Sequence, residues 1–264
     1  MYYLRTAIYL LVICFLVGCG SSGGSGSSGG SGSSDLVFGP DVKYSFDETE
    51  GTIAYNSEFE DFHGNIVGAT RVAGKLGNAL DFSSLEGSHV EFDICCYAHP
   101  DTGEGEKLIS FPNDTFTIAA WLKTSVMTTS NIYPIFGGWY GSVQSMKMRL
   151  NNGAVDFLLY PSNNGDPFTL VTSSFVFSND EWVHVAITFS GSQAVIYIDG
   201  EEDNYSDVVM SVEDIVNDYF VGGIPSQHSA GPGEYSFPGI IDEFFMSENA
   251  LSKPEIQQLM GLGH

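Results

Sequence analysis

Hydrophobic and polar residues alternate along much of the chain after residue 40, with the period of two that is typical of β-strands. The clearest run extends from Trp182 to Phe189. A Gly-Ser turn at 191–192 follows, and Ala194 to Ile198 returns as the second arm of a hairpin that closes at Asp199-Gly200. Because alternate side chains of a strand point to opposite faces, such segments predict sheets with one face in a core.

Three further segments alternate in the same way, namely Thr115 to Lys123, Ser145 to Leu150 and Val155 to Tyr160. One segment predicts a helix instead. Ser252 is a candidate N-cap, Pro254 follows it, and Glu255 stands three residues after the serine, as in a capping box. The pattern therefore predicts an all-β domain with a short C-terminal helix.

Five blocks of the sequence resemble one protein family in their content and order. They read Y-S-F-D-E-T-E-G from Tyr44, V-A-G-K-L-G-N-A-L-D-F from Val72, T-F-T-I-A-A-W-L-K-T from Thr115, E-W-V-H-V-A-I-T-F from Glu181 and F-P-G-I-I-D-E-F-F-M-S-E-N-A-L-S from Phe237. Together they are similar to LamG-like (laminin G-like) domains of the concanavalin A-like lectin/glucanase superfamily. The resemblance implies a concanavalin A-like jelly-roll β-sandwich of two antiparallel sheets, with Trp121 and Trp182 in its core. It does not settle the function, because this fold hosts sugar binders, adhesion modules, protein-interaction domains and hydrolases.

The amino-terminal residues predict export and a lipid anchor. Residues 1–18 combine a basic start with an apolar run that is short for a membrane span, which is typical of a secretory signal peptide. The sequence L-V-G-C at 16–19 resembles a bacterial lipobox, in which the cysteine is lipidated; here that residue is Cys19. Gly and Ser fill positions 20–34, and such a linker reaches about 20 Å. We therefore expect a lipoprotein signal peptide at 1–18, the lipidated cysteine and linker at 19–34, and a LamG-like domain at 35–264. The alternative is an uncleaved anchor helix.

The predicted location of the protein and its net charge limit the kinds of partner that it can bind. Gly20, rather than aspartate, follows the cysteine, and by the rule for Gram-negative lipoproteins this implies the outer membrane, with the periplasmic or surface side left open. Nine basic residues against 33 acidic ones give a formal net charge of -24. This charge disfavours nucleic acid and anionic lipid headgroups as partners, and it attracts divalent cations.

Two cysteines remain for the predicted domain, the adjacent Cys95 and Cys96. In an oxidising compartment each is the other's available partner, yet a bridge between neighbours closes a strained ring. A vicinal disulfide and two unpaired thiols are both compatible with the sequence.

Catalytic carboxylates do not emerge from the sequence. Hydrolases of the superfamily carry an E-x-D-x-x-E arrangement on one strand, so that nucleophile and acid face the same sugar. No acidic cluster in this chain has that spacing, and the predicted domain contains neither a G-x-S-x-G elbow nor a metalloprotease helix. The sequence therefore predicts a protein that is not an enzyme, with a glycan hydrolase as the less favoured alternative.

The family resemblance also implies a structural calcium ion between the first and last strands. Asp47 in F-D-E and Asp242 in I-D-E match the family positions, and Asn65 is a further candidate ligand. Carboxylate and carbonyl oxygens are the ligands that Ca²⁺ prefers. The alternative is that both aspartates accept backbone N–H groups at strand ends.

A ligand surface can be proposed from the alternation. Lys147 and Arg149 share the outward side of one predicted strand, Tyr160 points outward on the next, and Trp139 and Tyr140 lie in a predicted glycine-rich turn. Aromatic rings stack on sugars while charged groups hold hydroxyls. In the alternative, Trp139 caps the core edge and the two cations are merely solvated. The function predicted is a non-catalytic lectin-like module tethered to the bacterial envelope that binds glycans; the alternative is a protein-interaction or adhesion module that binds a cell-surface protein.

Overall fold

The computed structural model describes residues 41–58, 62–93, 97–98, 105–106, 115–125, 132–140, 143–159, 168–178, 180–208, 218–225 and 236–261. For some strand residues, Trp139 and Tyr140 among them, only the backbone is described. All of these residues belong to one compact unit that begins at Leu36.

Strands dominate the described residues. They are β1 (Val42–Tyr44), β2 (Ile53–Ala54), β3 (Gly64–Val67), β4 (Thr70–Ala73), β5 (Asn78–Asp81), β6 (His89–Asp93), β7 (Tyr97–Ala98), β8 (Gly105–Glu106), β9 (Phe116–Thr124), β10 (Ile132–Tyr140), β11 (Val143–Asn151), β12 (Ala154–Leu159), β13 (Phe168–Thr172), β14 (Trp182–Phe189), β15 (Gln193–Ile198), β16 (Glu201–Asp207), β17 (Asp218–Val221) and β18 (Gly239–Ser247). The helix is α1 (Lys253–Gly261).

These strands form two large antiparallel sheets. Sheet A has the order β16-β15-β14-β9-β18-β5-β4, and β1 also pairs with β18. Sheet B has the order β13-β12-β11-β10-β17-β6-β3-β2. The predicted two-sheet sandwich with a C-terminal helix is confirmed. In addition, β7 and β8 pair as a separate two-stranded ribbon.

The core lies between the two sheets and is rich in aromatic rings. Ile118, Ala120 and Leu122 of β9 belong to one buried cluster with Met146 and Met148 of β11. Burial of each large apolar side chain contributes roughly 1.5–3 kcal/mol. One face of each sheet therefore lies in a shared core, as the alternation predicted.

Aromatic contacts at the centre of the core tie the first strand to the last. The ring of Tyr44 on β1 lies 5.3 Å from that of Phe92 and 6.1 Å from that of Phe244 on β18. Its hydroxyl donates to the carbonyl oxygen of Phe62 at 2.6 Å, which satisfies the polar end of a fully buried side chain. Burial raises the pKa of Tyr44 well above its ordinary value.

Helix α1 begins at the predicted capping box. The N–H and the hydroxyl of Ser252 both donate to Glu255 Oε2, at 2.7 and 2.6 Å, and the N–H of Ile256 donates to the Ser252 carbonyl at 2.9 Å. These bonds satisfy groups that a helix start leaves unpaired. The helix covers the outer face of sheet A, with Ile256 and Leu259 in a buried apolar cluster with residues of β9, β14, β15 and β18.

Trp121 does not lie in the core between the sheets. Its neighbours Ala120 and Leu122 face that core, so alternation places the indole on the outer side of sheet A. There it is still buried, with the Lys75 ammonium group 4.4 Å from its ring centroid and the His184 ring at 5.3 Å. Trp121 is therefore buried, as expected, but on the outer face of sheet A. Trp182 was also expected in the core, yet it is only partly buried and lies on the same outer face, because its neighbour Val183 faces the core.

The predicted glycine-rich turn is also wrong. Gly137, Gly138, Trp139 and Tyr140 are the last residues of β10, which pairs with β11 on one side and β17 on the other. The register with β11 shifts between Gly138 and Trp139. Glycine within a strand often accompanies such a bulge, and this explains why the local sequence suggested a turn.

Candidate functional site

One row of cross-strand neighbours runs over the outer face of sheet B. Its members, strand by strand from β2 to β12, are Ile53, Asn65, Glu91, Phe220, Gly137, Lys147 and Leu158. Directly opposite residues of antiparallel strands point to the same side of the sheet. Val90 and Phe92, on either side of Glu91, lie in the core, and this places the row on the outer face.

The middle of the row is buried. Phe220, Lys147 and Leu158 expose 3%, 0% and 2% of their surface. Lys147 lies on the outward side of its strand, as the alternation predicted, but its side chain does not reach solvent. As the structure stands, Lys147 does not present its charge to a ligand.

Arg149, the other predicted cation of the ligand surface, belongs to a polar network. Its Nε and Nη2 donate to Asp156 Oδ2 at 3.2 and 3.1 Å. Asn151 Nδ2 donates to the same oxygen at 2.9 Å, and Thr172 Oγ1 donates to Asp156 Oδ1 at 2.9 Å. Because Asp156 is buried, these bonds compensate its charge, and the network accounts for Arg149 without a ligand.

The structure does not describe the side chains of the three aromatic residues of the predicted ligand surface. Only the backbone of Trp139 and Tyr140 is described, and Tyr160 is outside the described residues, as are Cys95 and Cys96. Their assigned roles, ligand binding for the three rings and a disulfide for the two thiols, stay predictions.

The opposite end of sheet B is exposed. We call it the β2–β3–β6 surface and define it by Tyr55, His63, Asn65, Val67 and Glu91. Tyr55 exposes 55% of its surface and Val67 38%, Asn65 is exposed, and 44% of the Glu91 side chain is exposed. Aromatic, amide and carboxylate groups therefore share one accessible surface.

The residues around Tyr55 fix its position. Its ring stands edge-on to the His63 ring, with centroids 4.7 Å apart and an interplanar angle of 80°. His63 Nδ1 accepts the N–H of Asn56 at 3.0 Å, and this bond holds the imidazole in place. The N–H of Tyr55 donates to Glu48 Oε1 at 2.6 Å. These contacts fix the position of the exposed Tyr55 ring.

Polar side chains near Tyr55 are also held by contacts with one another. Asn65 Nδ2 donates to Glu91 Oε1 at 3.0 Å, and His89 Nε2 lies 3.7 Å from Glu91 Oε2. An amide has two N–H donors and one acceptor oxygen, and each carboxylate oxygen accepts more than one bond. The pair therefore keeps hydrogen-bonding capacity for hydroxyl groups of a ligand.

Tyr55, His63 and Glu91 were not predicted as site residues. A signal was present, because I-x-Y from Ile53 and H-x-N-x-V from His63 both place polar or aromatic groups on the outward side of short strands. What the sequence does not reveal is that β3 pairs with β6 in a register that puts Asn65 opposite Glu91.

The two aspartates predicted to bind calcium converge on one turn, at residues 74–78. Asp242 Oδ2 accepts the N–H groups of Lys75 and Leu76 at 2.7 and 3.0 Å, and Asp47 Oδ1 accepts the N–H of Asn78 at 2.7 Å. Burial, with the nearby Asp47 charge as a smaller cause, raises the pKa of Asp242 to about 6. Asn65 is not brought to this turn; it lies on sheet B beside Glu91.

The donor set at this turn fits a hard cation. Both carboxylates reach the same turn, and a Cβ atom added at Gly74 would lie 2.5 Å from Asp242 Oδ2, 2.7 Å from the Leu76 carbonyl oxygen and 2.8 Å from that of Asn78. This cradle of oxygens has the chemistry that calcium prefers. Within the described part of the chain, no cluster of three or more His, Cys, Asp or Glu residues has metal-binding geometry, so carbonyl oxygens would complete the shell. The hydrogen bonds from Lys75, Leu76 and Asn78 are also those expected in the alternative, in which the two aspartates accept backbone N–H groups at strand ends.

The sequence matches a family model with this architecture. Residues 102–257, more than half of the chain, match Laminin_G_3 of the concanavalin A-like lectin/glucanases superfamily. The chain therefore belongs to this family, as the resemblance of its sequence blocks predicted. No curated protein sequence matches it significantly.

Solved structures share the fold at low sequence identity. Domain 4 of AbnA, a GH43 extracellular arabinanase from Geobacillus stearothermophilus in complex with arabinotriose, is 18% identical with a TM-score of 0.59, over 83% of this chain and 97% of that domain. The botulinum neurotoxin serotype D binding domain is 13% identical with a TM-score of 0.59, over 83% of this chain and 51% of that chain. A Trypanosoma rangeli sialidase in complex with 2,3-difluorosialic acid is 17% identical with a TM-score of 0.56, over 83% and 32%. Identities in this range show the fold alone, and the chain spans about half of the toxin chain and about a third of the sialidase chain.

Proposed function

We propose that this protein is a non-catalytic, lectin-like module that binds glycans. One observation carries the proposal: the fold is similar to that of an arabinanase domain in complex with arabinotriose, and the similarity covers 97% of that domain. That domain is a discrete unit of its enzyme, and this chain repeats its architecture as a unit of similar extent. The exposed aromatic and polar side chains of the β2–β3–β6 surface are compatible with sugar binding.

A binding role is favoured over catalysis by the chemistry of the carboxylates. Retaining glycosidases hold two carboxyl groups about 5–5.5 Å apart and inverting ones about 6.5–9.5 Å apart, on either side of the scissile bond. Asp47 and Asp242 reach the same turn, where both accept backbone N–H groups. Incubation with arabinotriose and sialylated oligosaccharides, followed by chromatography of the products, tests this part of the proposal; cleavage of any of them would contradict it.

We propose further that a calcium ion binds at the 74–78 turn. Asp47, Asp242 and carbonyl oxygens of the turn would hold it, and its contribution would be to neutralise two adjacent carboxylates and fix β18 to the β4–β5 turn. Phe46 and Glu243, each next to one of these aspartates, have φ angles of 60° and 50°. Non-glycine residues adopt such angles at a cost, which the surrounding contacts must compensate.

The proposed module is tethered to the bacterial envelope through Cys19. This rests on the lipobox and the Gly/Ser linker, which lie outside the described residues. In the described ranges, no helix has the length and hydropathy needed to cross a membrane.

Replacement of the lipidated residue tests the tether. We expect Cys19→Ser to move the protein from the membrane fraction to the soluble fraction, because the thioether that carries the lipid cannot form. The control is Ser21→Ala in the linker, which should fractionate like the natural sequence. Retention of Cys19→Ser in the membrane would favour the uncleaved anchor helix.

A further inference from the structure

We infer that the β2–β3–β6 surface is the ligand site, and that its ligand is a neutral oligosaccharide. This inference rests on the proposed glycan-binding function and deepens it, because it names the surface and the class of glycan. It differs from the surface predicted from the sequence, which centred on Trp139, Tyr140, Lys147, Arg149 and Tyr160.

Accessibility separates the two ends of the sheet B row. The Lys147 and Leu158 side chains have essentially no exposed area, and the Arg149 guanidinium is committed to Asp156. Tyr55, Asn65 and Glu91 sit on the same outer face and reach solvent. A ligand that approaches the described outer face of sheet B therefore meets the β2–β3–β6 surface.

The exposed ring is ordered before any ligand arrives. Tyr55 is held by the edge-on contact to His63 and by its backbone bond to Glu48. A tyrosine ring offers a flat apolar area with little side-chain freedom to lose, which suits stacking against the C–H face of a sugar. Preorganisation of this kind lowers the entropic cost of binding.

Hydrogen-bonding groups lie at the right spacing for a sugar chain. Tyr55 follows the end of β2, two residues after Ile53, and Glu91 lies two strands away from Ile53 in the row. Strand geometry then separates Tyr55 from Glu91 by about 12 Å. This span exceeds the width of one sugar ring, so the site matches an oligosaccharide, stacked at Tyr55 and hydrogen-bonded at the Asn65–Glu91 pair.

The charge around the site selects against acidic sugars. Glu91 is exposed on the surface itself, and Glu48 and Glu58 flank the segment that carries Tyr55. Glu48 and Glu58 pair with Arg71 and Lys43, so these two ion pairs are nearly neutral, and the exposed Glu91 is the carboxylate that repels an acidic sugar here. With a net charge of -24 on the whole chain, a sialylated or uronic acid glycan would be repelled. Neutral sugars carry no such penalty.

The experiment is a printed array of neutral oligosaccharides, arabinotriose included, and sialylated oligosaccharides, probed with the full chain in detergent. We expect binding to neutral glycans and loss of at least tenfold in affinity for Tyr55→Ala, since removal of a stacking anchor typically has this effect. Tyr55→Phe should stay within threefold. The matched control is Tyr205→Ala, because Tyr205 also exposes 55% of its surface but lies on the edge strand β16 of sheet A.

Two further measurements guard the interpretation. Glu91→Gln keeps the shape of the side chain and should weaken binding about tenfold, so the test does not depend on one variant. Affinity for a neutral glycan should be unchanged between 0.05 and 0.5 M salt, roughly a threefold change in Debye length. A steep fall with salt would mean that charge, rather than stacking and hydrogen bonding, drives the binding, and it would overturn the inference.

Each remaining outcome has one meaning. Neutral glycan binding that survives Tyr55→Ala and Glu91→Gln but is lost in Trp139→Ala overturns the β2–β3–β6 site and leaves the proposed function intact. Binding to sialylated glycans alone overturns the neutral class. No binding to any glycan on the array removes the proposed function, and the inference with it.

Discussion

The two outer faces of the sandwich differ in how far they are covered by other parts of the chain. On sheet A the outward side chains include Ala119, Ala186 and Phe245, and helix α1 covers them with Ile256 and Leu259. On sheet B the outward row passes from buried residues in the middle to exposed polar and aromatic groups at the β2–β3–β6 end. The chain thus covers the apolar outer surface of one sheet with its own helix and leaves a mixed surface accessible on the other.

This difference shows where stability and recognition reside. The cover on sheet A removes the apolar area of these side chains from water, which stabilises the fold and takes that area out of a partner's reach. The exposed ring and amide–carboxylate pair on sheet B add little to the core. We therefore expect substitutions on the sheet A side to change the free energy of unfolding and those on the β2–β3–β6 surface to change binding.

The largest effect is expected at Asp41, directly before β1 and opposite Ser247 of β18. Asp41 is fully buried, and among the described residues neither carboxyl oxygen makes a hydrogen bond of normal geometry. Burial is the main cause that raises the pKa of Asp41 to about 7; the Ser247 hydroxyl and the Lys43 charge oppose it, and Glu58 and Glu248 add to it. The fold therefore favours the protonated form.

The sign of the pH dependence follows from this shift. The folded state holds a proton that the unfolded state releases above a pKa of about 4, so stability is full below pH 4 and falls as pH rises to 7. We expect Asp41→Asn to remove this loss and to stabilise the protein by up to about 4 kcal/mol at pH 8, with no gain at pH 4. Urea unfolding at the two pH values measures it.

Asp156 is the matched control on sheet B. It is also buried, but it accepts bonds from Arg149, Asn151 and Thr172. Asp156→Asn should destabilise the fold by about 1–3 kcal/mol at pH 8, because it breaks a paired charge network. If both substitutions destabilised the protein at pH 8, Asp41 would have to be an ionised, stabilising group.

The second effect tests the helix cover of sheet A. Ile256 is fully buried, and its truncation to alanine removes three methyl or methylene groups from the apolar cluster. We expect Ile256→Ala to lower the free energy of unfolding by about 3 kcal/mol. The control is Leu85→Ala, since Leu85 is 59% exposed and should change stability by no more than about 0.5 kcal/mol. Equal losses for the two would show that the helix does not cover sheet A in solution.

The third effect concerns calcium at the 74–78 turn. An ion that binds the folded state alone stabilises it by about 2.7 kcal/mol at a hundredfold excess over Kd. Thermal melting should therefore rise with calcium and fall with chelator, and Asp242→Asn should abolish the difference.

Asp203→Asn controls for the loss of a carboxylate that holds a loop. Asp203 accepts the N–H groups of Ser174 and Phe175, much as Asp242 accepts those of Lys75 and Leu76. Its substitution should lower the melting temperature and leave the calcium response in place. Identical melting of the natural protein in calcium and in chelator would mean that the aspartates serve the turn alone.

Local sequence predicted the elements better than their faces. The β14–β15 hairpin and the Ser252–Glu255 cap are set by neighbours in the chain, and both were predicted. Trp121 was misplaced because alternation separates two faces without telling which one meets the other sheet. The glycines before Trp139 are compatible with a turn or a bulge, and the pairing of β10 with β17, about 80 residues away, decides between them.

The candidate site depends on longer-range information still. Asp47 and Asp242 could be matched to family positions, and the structure brings them to one turn. The β2–β3–β6 surface could not be found in this way, because Asn65 and Glu91 become neighbours only through the register of β3 and β6. Burial of Lys147 depends on the packed protein, and a strand pattern gives no measure of it.

The smallest effect is the sharpest check on the difference between the two faces. Tyr55 and Tyr205 expose the same fraction of their surface, one on sheet B and one on sheet A. Truncation of either to alanine should change the free energy of unfolding by no more than about 0.5 kcal/mol, since neither fills the core. The Tyr55 ring contacts His63, so a slightly larger loss at Tyr55 is compatible with the structure. A loss of about 2 kcal/mol or more for Tyr55→Ala would instead mean that the ring is part of the packing, and that its exposure is not a surface kept for a ligand.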